Sequence, residues 1–163
     1  MAMVLTREIR ESDVATVVRM VRDLAAYEKS LDECRMTVER LRGALFCAAP
    51  ALFGHVAEVD ERVVGFVLWF LNFSTWTGTH GVYGEDMYVE PEYRGQGVGR
   101  ALFEAMARVC VERGYQRLEF WTLDWNTGTI AFTASLGAKP MNEWTVYRIS
   151  GAELAELGGA RAG

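Results

Sequence analysis

Residues 90–102 read EPEYRGQGVGRAL and contain three glycines on alternate positions, Gly95, Gly97 and Gly99. A proline and an arginine precede these glycines, and a run of helix-forming residues follows them. Because glycine has no Cβ atom, such a loop can approach a ligand closely, and a helix N-terminus offers unpaired N–H groups with partial positive charge. The stretch therefore predicts a loop that binds an anion at the start of a helix, with pyrophosphate as its natural ligand.

The spacing of the glycines excludes the two commonest phosphate-binding loops. A nucleoside-triphosphate loop needs a Lys-Ser or Lys-Thr pair at its end, and no such pair follows here. The dinucleotide pattern GxGxxG fails from either start, because Arg100 and Leu102 stand where its last glycine would be. What remains is the pattern RGxGxG after a strand that ends in Val-x-Pro.

The composition of the 163 residues restricts the class of protein: half are apolar, and 22 acidic against 17 basic side chains give a formal charge of −5. Nucleic-acid binding depends on clustered Lys and Arg, so we expect no nucleic-acid partner and a better match to a cationic substrate. The three cysteines are far apart and form no CxxC pair, which predicts a reducing, cytoplasmic setting without a metal site. The longest apolar run is shorter than a bilayer span, so we expect no membrane partner.

Hydrophobic periodicity predicts strands and helices that alternate along most of the chain. The expected strands are residues 4–9, 53–59, 63–70, 82–89, 118–123 and 143–149. The expected helices run from a cap at Ser12 to Tyr27, from Thr37 to Leu45, over residues 99–112 and 129–136, and after a capping box of Ser150 and Glu153. Residues 74–81, STWTGTHG, are expected to be a loop. No linker divides these elements, so they predict one mixed α+β domain over residues 1–163, with a frayed tail from about 158.

In this context the glycine loop resembles the acyl-CoA loop of the GCN5-related N-acetyltransferase (GNAT) family. The resemblance covers nearly the whole chain and is closest to the diamine and thialysine N-acetyltransferase branch. It rests on LAAYE (24–28), STWTG (74–78), YGEDMYVEPEYRGQGVG (83–99), LDWN (123–126) and FTASLGA (132–138). It implies the GNAT fold: a central, twisted, mostly antiparallel sheet of about six to seven strands, flanked by about four helices, with two splayed parallel strands for the cofactor. The alternative, a glycine turn that only joins a strand to a helix, fits this context less well.

The same resemblance implies that acetyl-CoA is the co-substrate and that no metal takes part. Acetyl-CoA would lie between the strands that end near Val89 and Thr122, with its pyrophosphate on the glycine loop. The implied cofactor-binding residues are Met87, Tyr88, Val89, Arg94, Gly95, Gln96, Gly97, Val98, Gly99, Arg100, Asn126, Thr127, Gly128 and Thr129. A homodimer is also implied.

The amine site implied by the resemblance is acidic and aromatic, with residues Tyr27, Glu28, Glu85, Glu119, Phe120 and Trp121. An alkylamine has a pKa of about 10 and arrives as a cation, yet it attacks a thioester only when neutral. Glu28, Glu85 and Asp86 can attract the cation, and we expect Glu85 to accept its proton directly or through water. Neighbours in a strand point to opposite faces, so at most one of Glu85 and Asp86 is expected to face the pocket. An ordinary exposed carboxylate at a helix end is an equal interpretation of Glu28.

Thr133 departs from the family pattern, which usually has a tyrosine after the phenylalanine, here Phe132. That tyrosine is the expected general acid for the departing thiolate, and a threonine hydroxyl is shorter and far less acidic. Three interpretations stay open: a slower enzyme, an enzyme that uses water or another hydroxyl, and a CoA-binding protein with little catalysis. The turn before this helix also has Gly128 where a proline is common.

Together these patterns predict a cytoplasmic, acetyl-CoA-dependent N-acetyltransferase of a small primary amine, such as a diamine, a polyamine, thialysine or another amino-acid-like amine. An aspartate commonly stands at the position of Ser74 in the polyamine branch. Its absence favours a substrate that carries its own carboxylate. The alternatives are acetylation of a protein or peptide amine, and a CoA-binding sensor or regulatory module.

Overall fold

Alternating apolar residues build one five-stranded sheet in the computed structural model, which describes residues 3–159. Its strands, in spatial and chain order, are β1 (Leu5–Glu8), β2 (Phe53–Val59), β3 (Arg62–Ser74), β4 (Thr79–Val89) and β5 (Leu118–Phe120). The first four pair antiparallel, and β5 runs parallel to β4. The mixed fold and its mostly antiparallel sheet are thus confirmed, although the described residues form five strands rather than six to seven.

The chain divides into two compact units, one that ends at Leu123 and one that begins at Asp124. The first contains α1 (Val14–Tyr27), α2 (Val38–Leu45) and α3 (Val98–Glu112), and the second contains α4 (Thr127–Ser135) and α5 (Gly151–Leu157). The predicted single domain over residues 1–163 stays a prediction, and residues 160–163 of the expected frayed tail lie outside the described residues. None of the helices described has both the length and the hydropathy that a membrane span requires.

The two faces of the sheet carry separate halves of the apolar core. Along β3, Phe66 and Leu68 belong to the cluster that contains α1 and α2, whereas Val67 and Trp69 belong to the cluster that contains α3. This alternation is the period of two that a strand imposes on its side chains. It assigns a face to each residue of β4 that has a partner in β3, because paired residues of neighbouring strands lie on the same face.

Four predictions about local structure need correction. The Ser150 side chain makes no capping hydrogen bond at the start of α5, so the predicted capping box of Ser150 and Glu153 is wrong. Ser12 does not cap α1, because it lies in a 3-10 turn in which the Arg10 amide donates to Asp13 Oδ2 at 2.7 Å. The stretch at 74–81 is not wholly a loop, since β3 extends to Ser74 and β4 begins at Thr79, which leaves a four-residue turn, residues 75–78, between them. Residues 143–149 are not a strand, because the second unit, as described, contains no strand with which they could pair.

Candidate active site

A β-bulge in β4 decides which acidic side chain faces which side of the sheet. Trp69 pairs with Gly84 and Leu68 pairs with Asp86, so Glu85 is an extra residue without its own partner in β3. Asp86 therefore shares a face with Leu68, on the side that α1 and α2 cover. The bulge interrupts the alternation of side chains between Gly84 and Asp86, and the predicted opposite orientation of Glu85 and Asp86 stays a prediction.

Asp86 lies in a strongly perturbed electrostatic environment on this face. Burial, with repulsion from Glu85 and Glu28, raises the pKa of Asp86 to about 6. Glu28 lies at the C-terminal end of α1 and is itself partly buried, which raises its pKa as well. Glu85 is exposed. Asp86 thus experiences the charge of both other carboxylates predicted to attract a cation, and Asp86 and Glu28 are partly buried whereas Glu85 is exposed.

β4 and β5 pair over a short register, which ends where β5 ends. Their last pair joins Gly84 and Phe120, where β5 ends, whereas β4 continues to Val89. Within the described residues no strand pairs with β4 on that side beyond Gly84. The backbone of Met87, Tyr88 and Val89, predicted to bind the cofactor, therefore lies along an open strand edge. The parallel pairing of β4 and β5 agrees with the resemblance, and their splaying beyond Gly84 stays a prediction.

The glycine loop connects the end of β4 to α3. After the 3-10 turn Pro91–Tyr93, Gly95 and Gly97 adopt left-handed φ angles of 72° and 88°, which residues with a Cβ atom rarely adopt. A Cβ atom at either glycine would meet no described protein atom within 4 Å, so the loop borders open space. No side-chain cap is present at the start of α3 among the described residues, so its first N–H groups have no capping acceptor. The loop fits a pyrophosphate.

Arg94 folds back toward the end of α1. Its Nε donates to the Val89 carbonyl at 3.0 Å, and its guanidinium lies 5.4 Å from the ring centre of Tyr88 and 5.7 Å from that of Tyr27. Tyr27, predicted for the amine site, thus lies beside the cofactor loop. Other predicted residues complete the loop: the Gln96 amide donates to the Glu92 carbonyl, and Val98, Gly99 and Arg100 form the first turn of α3.

The three residues predicted from β5 and its end have different surroundings. Glu119 accepts a hydrogen bond from Asn72 at 2.5 Å and lies 3.0 Å from Arg117. Phe120 packs edge-on against Phe103 of α3. Trp121 packs edge-on against Tyr83 and is 60% exposed. Of the three, Trp121 keeps the most surface available for a ligand.

Within the second unit, the predicted residues lie at the start of α4 and in its interior. Asn126 caps α4, because its Oδ1 accepts the Thr129 amide at 3.2 Å, and Thr127, Gly128 and Thr129 form the first turn. The Thr133 hydroxyl is buried and is within hydrogen-bond distance of two carbonyls of its own helix, those of Thr129 (2.9 Å) and Ile130 (3.2 Å). Its only proton is therefore directed to its own backbone.

Comparison with known proteins decides the family. Residues 21–138 match the acetyltransferase (GNAT) family. The chain belongs to this family. Thialysine N-epsilon-acetyltransferase from Sus scrofa is 37% identical to this GNAT acetyltransferase over 98% of this chain and 99% of that protein. An L-ornithine N5-acetyltransferase from Arabidopsis thaliana is 37% identical over 60% of this chain and 43% of its own length.

A solved structure supports the fold of this GNAT acetyltransferase. An integron cassette protein from the mobile metagenome of V. cholerae superimposes with a TM-score of 0.79 at 22% identity, over 95% of this chain and 97% of that one. The family match and the curated relatives confirm the predicted family and the prediction that the protein is an acyltransferase.

Sequence reasoning missed two features of the site. The first is the orientation of Asp86, which depends on a register shift that only the partner strand reveals. The second is Glu90, which is buried beside two arginines although the sequence places it in a polar run. Among residues 3–159, no group of three or more His, Cys, Asp and Glu side chains is arranged to hold a metal ion.

Proposed function

We propose that this GNAT acetyltransferase transfers the acetyl group of acetyl-CoA to a small primary amine that carries its own carboxylate. The observation that carries the proposal is the arrangement along β4. This strand bears Asp86, with its raised pKa, and leads directly into the open glycine loop at the start of α3. One continuous segment thus combines a proton acceptor with an anion site.

Acetyl-CoA supplies the activated acetyl group, and this chain's residues bind and orient it. The N–H groups of the glycine loop, at Gly95, Gly97 and the first turn of α3, would hold the pyrophosphate. The free edge of β4 at Met87, Tyr88 and Val89 offers backbone groups to the pantetheine arm. The first turn of α4, residues 126–129, is proposed from the resemblance to contact the arm near the thioester.

Proton removal from the amine is assigned to the acidic face. The carboxylates of Glu28, Glu85 and Asp86 attract the ammonium group, and Asp86 is the proposed proton acceptor, directly or through water. Its support is a pKa near 6, since a base works best with a pKa close to the operating pH. Glu85, which the sequence predicted for this role, is exposed and is proposed to act in attraction; exchange of the two roles is an outcome of the test below.

The leaving thiolate is proposed to take its proton from water. Because the Thr133 hydroxyl is directed to the Thr129 and Ile130 carbonyls, we assign it no proton transfer. A thiol is acidic, with a pKa of about 8.5 for cysteine, so its thiolate leaves without the help that an alkoxide would need. Turnover is therefore expected without a side-chain acid, at a lower rate than general-acid catalysis would give.

The substrate class rests on the relatives and on Ser74. Two relatives are named for thialysine and L-ornithine, which are amines with a carboxylate of their own. Ser74 stands where the polyamine branch commonly has an aspartate, and its Oγ accepts the Thr77 amide in the β3–β4 turn. The remaining aromatic residues, Tyr27 and Trp121, are proposed to line the amine site.

The assembly and location follow the resemblance. We propose a homodimer in the cytoplasm, with both units acting as one domain, because the family match at residues 21–138 runs across the boundary at Leu123. Three unpaired thiols, those of Cys34, Cys47 and Cys110, agree with a reducing compartment. Light scattering coupled to size-exclusion chromatography measures the mass of the assembly and so tests the dimer directly.

One assay tests the proposed reaction. The protein is incubated with acetyl-CoA and a panel of thialysine, lysine, ornithine, diamines, polyamines and a lysine-containing peptide, and thiol release is followed over time. We expect the highest kcat/KM for an amine that carries a carboxylate. A polyamine or peptide preferred by tenfold or more would contradict the substrate class.

A second candidate function, a CoA-binding sensor with little turnover, is favoured by the internal hydrogen bonds of Thr133. The same assay separates the two functions when it is combined with calorimetric titration of CoA. Binding of CoA without thiol release for any amine in the panel would favour the sensor.

A further inference from the structure

Glu90 is the first residue after β4 and is buried, with a relative exposure of 4%. Each of its carboxylate oxygens has its own arginine. Arg19 of α1 donates to Oε1 at 2.6 Å, and Arg62 at the start of β3 donates to Oε2 at 3.0 Å. A buried carboxylate is costly unless it is paired, and here two half-exposed guanidinium groups from distant parts of the chain pair with it.

The backbone of Glu90 is engaged as fully as its side chain. Its amide donates to the Val64 carbonyl at 2.9 Å, and its own carbonyl accepts the Tyr93 amide at 2.9 Å in the 3-10 turn. Arg62, besides its ion pair, lies 5.9 Å from the ring centre of Tyr93. The chain is thus fixed at Glu90 and Tyr93, immediately before the loop that contains Gly95.

We propose that Glu90 is a positioning residue for CoA binding. Its two ion pairs anchor the start of the glycine loop to α1 and β3, and so hold the loop N–H groups in the orientation that a pyrophosphate requires. The inference rests on the proposed CoA site. An apolar residue could fill the same volume at no electrostatic cost, so the carboxylate serves to fix position rather than to add stability.

The sign of one mutational effect separates positioning from electrostatics. Glu90→Gln removes a negative charge near a site for a polyanion, so Coulomb attraction alone would tighten CoA binding. Loss of positioning would weaken it, and we expect the Kd for CoA to rise about tenfold, since small displacements of binding groups are costly. At saturating acetyl-CoA, kcat and the KM for the amine should stay within about twofold of wild type.

Two further variants separate a loss of positioning from poor folding and from a general loss of stability. Glu90→Met removes both ion pairs without leaving a buried amide unpaired, and it should weaken CoA binding to the same extent even if Glu90→Gln folds poorly. Glu58→Gln is the matched control, because Glu58 is a partly buried carboxylate of β2 that pairs with Arg7, away from the loop. It should lower the melting temperature and leave the Kd for CoA unchanged.

The measurement is calorimetric titration of each purified variant with CoA, with thermal unfolding in parallel. If wild type binds CoA and both Glu90 variants bind it equally well or more tightly, Glu90 has no positioning role and the proposed function stands. If wild type does not bind CoA, the proposed function and this inference are both overturned.

Discussion

Two helix starts in this protein are built in opposite ways. α3 begins after left-handed Gly97, and no described side chain caps it. α4 begins at Asn126, whose side chain accepts the Thr129 amide, and the hydroxyl of Thr133 is also within hydrogen-bond distance of the Thr129 carbonyl. The first start leaves its N–H groups without a capping side chain, whereas the second pairs one of its amides with its own cap residue. Of the two sites proposed for one reaction, only the start of α3 is thus open to a ligand, whereas the hydroxyl proposed from the resemblance near the thioester is engaged within its own helix.

The largest expected effect comes from Asp86 of β4, the strand that leads to the uncapped start of α3. Asp86→Asn removes the proposed proton acceptor, so kcat/KM should fall by about 10²- to 10³-fold. Because the pKa of Asp86 is raised to about 6 and the carboxylate is the active form, wild-type kcat/KM should fall as the pH drops through 6. This acid limb should be missing from the residual activity of Asp86→Asn.

Glu85→Gln is the matched comparison for that experiment, because Glu85 is the adjacent, exposed carboxylate of the bulge. We expect it to lose only a few-fold, about 1 kcal/mol or less. A larger loss in Glu85→Gln than in Asp86→Asn, measured as kcat/KM over pH 5 to 9, would return the role of base to Glu85.

One added methyl group should disturb the glycine loop at the uncapped start of α3. Gly97→Ala forces an L-residue into φ 88° and places a Cβ atom in the open space that borders the loop. The Kd for CoA should rise by about tenfold or more, because the loop N–H groups are displaced. Gly78→Ala provides the control, since Gly78 also has a left-handed φ, 68°, and open space, but lies in the β3–β4 turn. Equal Kd values for the two variants in a CoA titration would contradict the assignment of the anion site.

Loss of the side-chain cap at the start of α4 should lower the stability of the protein. Asn126→Ala removes the side-chain acceptor of the Thr129 amide and should cost about 1 kcal/mol, seen as a lower melting temperature. Ser150→Ala is the companion variant, because Ser150 precedes α5 without a side-chain capping bond and should be neutral. Weaker CoA binding in Asn126→Ala with an unchanged melting temperature would show that this side chain serves the ligand rather than the helix.

The smallest effect is expected at Thr133. Thr133→Val removes a hydroxyl that is directed to its own helix, and kcat should stay within about twofold of wild type because no proton transfer is lost. Thiol release at saturating substrates measures it. A tenfold fall would mean that the hydroxyl acts in the reaction, and a gain of activity in Thr133→Tyr would show that a missing acid limits turnover.

Sequence alone predicted the parts of this protein that depend on local chemistry. β2 has the predicted bounds, and α3 begins one residue from its predicted start. The glycine loop could be predicted because its left-handed φ angles and the helix start after it depend on neighbouring residues. Thr37 caps α2 as expected. In each of these cases the physical cause lies within a few positions of its effect.

The parts that could not be predicted depend on residues far apart in the chain. Residues 143–149 alternate like a strand, but a strand forms only where another strand offers hydrogen bonds. The face of Asp86 depends on its register with β3, and Glu90 is paired with Arg19, 71 positions away. Neither the face of Asp86 nor the pairing of Glu90 can be predicted from the residues next to it in the sequence.

The end of the β4–β5 pairing at Gly84 has a practical consequence. Amides on the open edge of residues 85–89 exchange their protons with solvent as long as nothing is bound to them, whereas amides bonded to β3 are protected. A bound pantetheine arm would slow exchange at the open edge alone. Deuterium uptake of the peptide containing these residues therefore reports cofactor occupancy in a protein that is not turning over, and it would do so equally for an enzyme and for a sensor.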